Sequence, residues 1–220
     1  MKLLFKRWFN HIRKAQQLMI LALLAAAHAN GQPLTVQVLD HTGKPFQGAV
    51  VELQHPEASQ SDELPQAAMD QIDKQFAPYL LVVEHGTPVV FPNSDSIKHH
   101  VFSFSAAKRF QLRLYKDQRP EPLIFDKPGV VALGCNIHDW MVGYIYVAQS
   151  KLYLQSDSQG FAHFEVPQRD YELRVWHPRF KGSDAQGTAS VKAGRETVIF
   201  TLQESLHPIL DGQADEFDSY

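Results

Sequence analysis

The chain has 220 residues, of which 44% are hydrophobic and 20% are charged, so it can form a packed core and is not disordered as a whole. The formal net charge is −3, but beyond residue 29 the chain carries 16 Lys and Arg against 24 Asp and Glu, a net charge of −8, which argues against a nucleic-acid-binding protein. The single cysteine excludes an internal disulfide and any metal site that needs several cysteines.

Residues 1–29 have the order of a secretory signal peptide. Five basic residues and no acidic ones lie in the first 14 positions, and an apolar run from Leu18 to Ala27 ends in the small-x-small pattern Ala27-His28-Ala29. Ten apolar residues are too few to cross about 30 Å of hydrocarbon as a helix. We therefore expect export to the periplasm and cleavage near Asn30. The alternative is an uncleaved segment, which would then be the only contact with a membrane.

From residue 34 onward the sequence is mostly typical of short strands. Alternating or β-branched runs are separated by turns rich in Gly, Pro, Asn and Asp. The predicted strands are residues 34–39, 49–53, 79–83, 88–91, 99–104, 110–115, 130–133, 143–147, 151–155, 161–166, 171–176, 190–193 and 197–202. One helix is predicted over residues 63–76, before Pro78, and residues 204–220 form an acidic tail. This pattern predicts an all-β protein of the sandwich type.

The two flanks of the chain look like parts of one unit. Residues 34–53 carry a turn with Asp40, Gly43 and Gly48 between two strand patterns, and resemble the opening of carboxypeptidase regulatory-like β-sandwich modules. The hairpin and the Tyr-x-Leu-x-Val strand that follow in such modules have counterparts at residues 156–164 and 171–175. The resemblance implies a second small β-sandwich, made of residues 34–55 and 151–203 and interrupted by an inserted domain. The alternative is two consecutive domains with similar turns.

Residues 135–141 contain the spacing Cys135-x2-His138-x2-Met141 on one short loop. Thiolate and thioether sulfur together with imidazole favour copper, and a type 1 copper site uses one Cys, two His and a weak axial Met. The loop lacks one imidazole, and the nearest donors upstream are His99 and His100. Consecutive side chains of a strand point to opposite faces, so only one of these two can face the metal.

This ligand order resembles the cupredoxins, and amicyanin and plastocyanin in particular, over residues 69–149. The resemblance implies a cupredoxin-like Greek-key β-sandwich with one type 1 copper ion bound by His99, Cys135, His138 and Met141, while His100 points elsewhere. The chain departs from the family where Lys98 replaces Pro, His100 replaces Asn, and Gly134 replaces an aromatic residue. These departures affect the surroundings of the ligands and leave the ligands themselves in place.

The resemblance also implies a function, that of an exported blue copper electron carrier and not an enzyme. A redox partner such as a cytochrome or a dehydrogenase would dock near His138 and Trp140. The first alternative is a periplasmic copper-binding or copper-delivery protein without an electron-transfer role. The second is an adhesion or scaffold module that binds no metal.

Overall fold

The computed structural model describes residues 31–56, 61–117, 120–182, 187–194 and 196–208. The predicted signal segment and all but the beginning of the acidic tail therefore lie outside the described residues. Within the described ranges the chain has 17 strands and no α-helix, which confirms the all-β class. Accordingly, that part of the chain has no helix long and apolar enough to cross a membrane.

The strands are short and follow one another along the whole described chain. In chain order they are β1 (Gln32–Leu39), β2 (Val50–Gln54), β3 (Ala67–Ala68), β4 (Asp70–Ile72), β5 (Gln75–Ala77), β6 (Leu80–Glu84), β7 (Thr87–Val90), β8 (His99–Ser103), β9 (Phe110–Tyr115), β10 (Leu123–Phe125), β11 (Gly129–Gly134), β12 (Val142–Ala148), β13 (Tyr153–Gln155), β14 (Phe161–Val166), β15 (Asp170–Trp176), β16 (Thr188–Lys192) and β17 (Thr197–Thr201).

The middle strands form a sandwich, hereafter the middle sandwich. Its larger sheet has the order β6-β12-β11-β8-β9, with β6 parallel to β12, and its smaller sheet has the order β10-β7-β3. Apolar side chains from both sheets fill one core, among them Phe91, Phe125, Val131 and Ile145. Burial of such side chains, each worth about 1.5–3 kcal/mol, holds the two sheets together.

The outer strands form a second pair of sheets around a separate core. Strand β1 pairs antiparallel with β14 and parallel with β17, and β2 pairs antiparallel with β13 and β15. Residues from both sheets share this core, including Val36, Leu53, Phe164 and Leu173. The strands before and after the middle segment therefore lie in the same sheets. The assignment of these strands to one interrupted domain stays a prediction.

The predicted helix over residues 63–76 is wrong. Met69, Gln71 and Phe76 are buried, while their neighbours are not, and β4 and β5 form a hairpin. Asp73 and Lys74 connect the two strands with φ angles of 50° and 64°. A two-residue hairpin turn with positive φ at both positions usually contains Gly or Asn, and neither is present here, so the sequence does not indicate this turn. Sheet pairing outweighs the helical preference of the segment.

Glu52 of β2 joins the outer sheets to the middle sandwich. Its side chain is buried, Oε2 accepts a hydrogen bond of 2.8 Å from the Tyr146 hydroxyl, and Oε1 accepts bonds of 2.8 Å from the amides of Gln149 and Ser150. Burial and the charge of Glu52 raise the pKa of Tyr146 well above its usual value. Trp176 packs beside Tyr146, with 5.5 Å between the ring centroids. The outer sheets and the middle sandwich thus meet through apolar rings that surround the hydrogen-bonded carboxylate of Glu52.

His177 provides a prediction about the acid stability of the outer sheets. The ring is buried against Phe46 and Phe180, and its Nδ1 accepts a hydrogen bond from the Arg179 amide. Burial, with a smaller contribution from the positive charge of Arg179, lowers the pKa of His177 to about 3. Below pH 6.5 the His177 ring binds a proton in the unfolded chain but not in the folded chain. The free energy of unfolding should therefore decrease as the pH falls from 6.5 towards 3. The expected slope is about 1.4 kcal/mol per pH unit.

Urea unfolding between pH 7 and pH 4 measures this slope. The variant His177→Gln should lose this part of the pH dependence, whatever its stability at pH 7, and His41→Gln at an exposed turn should keep it. An unchanged slope in His177→Gln would contradict the assignment.

Candidate metal centre

The loop between β11 and β12 places two sulfur atoms inside and an indole outside. Cys135 is a buried free thiol, Met141 is buried in the same apolar cluster, and the Met141 amide donates a 3.0 Å hydrogen bond to the His138 carbonyl. Ile137 and Trp140 are 51% and 49% exposed. The turn at His138 therefore directs Cys135 and Met141 into the core and Ile137 and Trp140 towards solvent.

His99 and His138 complete a cluster around the Cys135 thiol. His99, at the start of β8, is fully buried, and its Nδ1 lies 3.9 Å from Cys135 Sγ. The ring centroids of His99 and His138 are 5.0 Å apart, and one ligand atom from each of the three residues lies within 4.8 Å of the other two. A metal with bonds of about 2.0–2.3 Å separates neighbouring ligand atoms by roughly 3.3–4 Å. The cluster is close to that size.

The chemistry of the cluster fits a copper ion. His138 Nδ1 is buried and has no hydrogen-bond partner among the described residues. A buried nitrogen of this kind costs about 1–3 kcal/mol unless it is satisfied, and a metal ion would satisfy it. Burial, followed by the charges of His99 and Lys74, lowers the pKa of His138, so the ring is neutral near pH 7 and able to bind metal. One thiol and two imidazoles, with a buried thioether on the same loop, form a donor set that suits copper.

The neighbouring His100 lies on the other side of β8. Its Nε2 accepts a 2.8 Å hydrogen bond from Gln111 of β9, and its ring stands 5.7 Å from that of Phe102. The register of β8 and β9 shifts between His99 and Val101. Of the two histidines, His99 contacts Cys135 and His100 does not. Metal binding by His99, Cys135, His138 and Met141 stays a prediction.

A side chain at Gly134, where the family resemblance leads one to expect an aromatic residue, would require the ring of Phe102 to move. A Cβ atom at this position would lie 2.7 Å from Cζ of Phe102, which is closer than real contacts allow. The ring of Phe102, the β8 residue paired with Gly134, covers the backbone just before Cys135 instead. Glycine at this position thus follows from packing against an adjacent strand.

Asp95, which belongs to no motif in the sequence, lies beside His99. Its Oδ2 accepts hydrogen bonds of 2.8 Å from His99 Nε2 and from the Lys74 amide, and its Oδ1 accepts one of 2.9 Å from the Ser96 amide. Burial raises the pKa of Asp95, but the hydrogen bonds from His99 and from the two amides outweigh it, so the net shift is downward. The spacing of four residues between Asp95 and His99 is a signal in the sequence, whereas the contact of Asp95 with Lys74 depends on the fold.

No protein-family model and no curated protein sequence matches this chain. Solved structures that resemble it include a purple cupredoxin, amicyanin variants and a copper-containing nitrite reductase. A purple cupredoxin from Nitrosopumilus maritimus is 25% identical, with a TM-score of 0.32, 37% of this chain covered and 99% of the other. A reduced Cu(I) form of an amicyanin mutant is 20% identical, with a TM-score of 0.34 and coverages of 44% and 97%. A copper-containing nitrite reductase from Thermus scotoductus is 24% identical, with a TM-score of 0.36 and coverages of 44% and 25%.

Proposed function

We propose that this chain is an exported copper protein that carries single electrons between partner proteins and catalyses no reaction of its own. The observation that supports this proposal most directly is the cluster of Cys135, His99 and His138, whose ligand atoms lie within 4.8 Å of one another. The export signal of residues 1–29 belongs to the same proposal.

Each residue of the centre has a distinct role in this proposal. Cys135 would bind copper as a thiolate, His99 and His138 as neutral imidazoles, and Met141 as a weak axial ligand. Bound copper supplies a one-electron couple between Cu(I) and Cu(II). The protein holds the donor atoms on β8 and on a loop packed into the core, so their positions change little when the charge on the metal changes.

The surface beside His138 suits a brief contact with a redox partner. The rings of His138 and Trp140 are 5.2 Å apart, and Trp140 and Ile137 are both about half exposed. A partner such as a cytochrome or a dehydrogenase could cover this apolar surface and exchange an electron through His138. The net charge of −8 beyond residue 29 favours a partner with a basic surface.

The first experiment is the visible spectrum of the mature chain after copper is added. An electron carrier should bind one copper ion, show the intense blue thiolate-to-copper absorption, and give a reversible potential. A chain that binds Cu(I) without the blue band and readily gives it to a chelator is a copper-delivery protein. A chain that binds no copper is neither an electron carrier nor a copper-delivery protein. Copper transfer to the chelator without a blue band, or no copper binding at all, would overturn the proposal.

Replacing Trp140 with alanine should slow electron transfer to a protein partner and leave the copper site unchanged. The side chain touches the ring of His138 at the surface and is not a predicted ligand. We expect the rate constant with a basic c-type cytochrome to fall about tenfold, as for loss of an aromatic interface residue. The rate with ferricyanide, a small oxidant, and the spectrum should stay the same. Stopped-flow measurements give both rates.

The matched control is Ile199→Ala, which removes an exposed apolar side chain from β17 of the outer sheets. This variant should transfer electrons to the cytochrome at the wild-type rate. Equal rates for Trp140→Ala and the wild type would place the docking surface elsewhere.

A further inference from the structure

The carboxylate of Asp95 lies between the predicted ligand His99 and the hairpin formed by β4 and β5. Its Oδ2 accepts a hydrogen bond from His99 Nε2 and another from the amide of Lys74 in the hairpin turn, both 2.8 Å long. The side chain of Asp95 is 10% exposed and that of His99 is fully buried, so water competes weakly for this contact. His99 is thus connected to a part of the chain outside the copper motif.

The contact determines which nitrogen of His99 carries the proton. An ionised carboxylate can only accept hydrogen bonds, so His99 Nε2 must be the donor. In the neutral ring the proton is then on Nε2, and the lone pair is on Nδ1. Nδ1 is the atom that lies 3.9 Å from Cys135 Sγ. The carboxylate therefore favours the tautomer in which Nδ1 is free to bind metal.

The hairpin in turn fixes the position of Asp95. Lys74, with a φ of 64°, directs its amide towards the carboxylate. Asp70 of β4 accepts hydrogen bonds from the Ser94 hydroxyl (2.7 Å) and the Ser94 amide (3.1 Å), which hold the residue before Asp95. Asn93 Oδ1 accepts a 3.0 Å bond from the Asp95 amide. The Ser94 amide also donates a 3.1 Å bond to the carbonyl of Gln71 in β4. The loop that carries Asp95 is therefore bound to the hairpin through Lys74, Asp70 and Gln71.

We propose that Asp95 is a positioning residue that fixes the tautomer and orientation of His99, and that the β4–β5 hairpin holds Asp95 in place for this role. The effect on copper rests on the proposed function. The effect on His99 does not, because it concerns the protein before any metal binds. The two statements can therefore fail separately.

The tautomer is measured in the metal-free full chain by ¹⁵N NMR of the histidine rings. We expect His99 of the wild type to be a single Nε2–H tautomer at neutral pH. Asp95→Ala should give a mixture of both tautomers, and Asp95→Asn, whose amide oxygen still accepts a hydrogen bond, should give an intermediate result. Asp126→Ala, which removes an exposed carboxylate paired with Lys108, should match the wild type. A single Nε2–H tautomer in Asp95→Ala would overturn the proposal.

The contribution of the hairpin side chains is tested by Asp70→Ala. This substitution removes the two hydrogen bonds between the Asp70 carboxylate and Ser94 and leaves the one to the Gln71 carbonyl, and Asp70 itself has no hydrogen bond to His99. We expect the His99 signals to broaden or split in this variant, with the far-UV circular dichroism unchanged. Unchanged His99 signals would show that the carboxylate of Asp70 does not help to hold Asp95 in place.

Copper affinity provides the second measurement. Loss of a carboxylate that orients a ligating histidine weakens metal binding by about 10–100-fold, and we expect Asp95→Ala to fall in that range. Asp95→Asn should recover part of the affinity. If the wild type shows the fixed tautomer but binds no copper, the proposed function fails and the assignment of Asp95 remains. If affinity is unchanged in Asp95→Ala, the proposed link to the metal is wrong.

Discussion

Replacing Cys135 with serine should abolish the blue absorption of the copper-loaded protein completely. The band arises from the bond between a thiolate and copper, and a serine hydroxyl is not ionised near neutral pH. Because Cys135 is the only cysteine of the chain, no other thiol can replace it. The measurement is the visible spectrum of the wild type and the variant at equal copper loading.

The matched comparison is Met141→Leu, which removes the other sulfur atom of the loop. A weakly bound axial ligand contributes less to the spectrum, so this variant should keep a blue band and have a higher reduction potential. Both side chains are buried and both substitutions are close in size, so the circular dichroism should stay that of the wild type. A blue band in Cys135→Ser would show that the thiolate is not the ligand.

Replacing Glu52 with alanine should strongly weaken the contact between the outer sheets and the middle sandwich. The substitution leaves the hydroxyl of Tyr146 and the amides of Gln149 and Ser150 without their acceptor. Since a buried donor without a partner costs about 1–3 kcal/mol, we expect the free energy of unfolding to fall by about 3 kcal/mol or more. Urea unfolding followed by tryptophan fluorescence, to which Trp176 beside Tyr146 contributes, measures the change.

The control for Glu52 is Glu172→Ala on the neighbouring strand β15. Glu172 is about half exposed and pairs with Arg174 at 3.2 Å, so its loss should change the stability by less than about 0.5 kcal/mol. Tyr146→Phe, which removes only the hydroxyl, should give an intermediate loss. A Glu52→Ala variant as stable as Glu172→Ala would mean that water replaces the carboxylate at no cost.

The sequence predicted the parts of the fold and of the centre that depend on local pattern. Alternation identified strands such as β14 and β15, and the spacing from Cys135 to Met141 placed three donor residues on one loop. The alternation of faces along a strand limited the fourth donor to one of His99 and His100. Each of these inferences uses residues that are close together in the chain, where spacing and geometry are directly linked.

The rest depends on contacts between residues far apart in the chain. The hairpin of β4 and β5 has a turn without glycine, and its pairing overrides a segment that favours a helix. The contact of Asp95 with Lys74 spans 21 residues and that of Glu52 with Tyr146 spans 94. The sequence does not show whether an Asp or Glu side chain is a buried hydrogen-bond acceptor or is exposed to solvent, because this depends on the packing around it.

Strand β12 also limits how the protein could be shortened. Ile145 and Val147 point into the core that contains Cys135, whereas Tyr144 and Tyr146 point to the contact with β2 and Trp176. A fragment cut down to the middle strands would carry these two tyrosines on its surface and would lack the carboxylate that Tyr146 binds. Such a fragment would tend to aggregate through this uncovered face. A shortened chain that keeps only the middle sandwich would therefore need polar replacements at positions 144 and 146 and an unchanged sequence at 145 and 147.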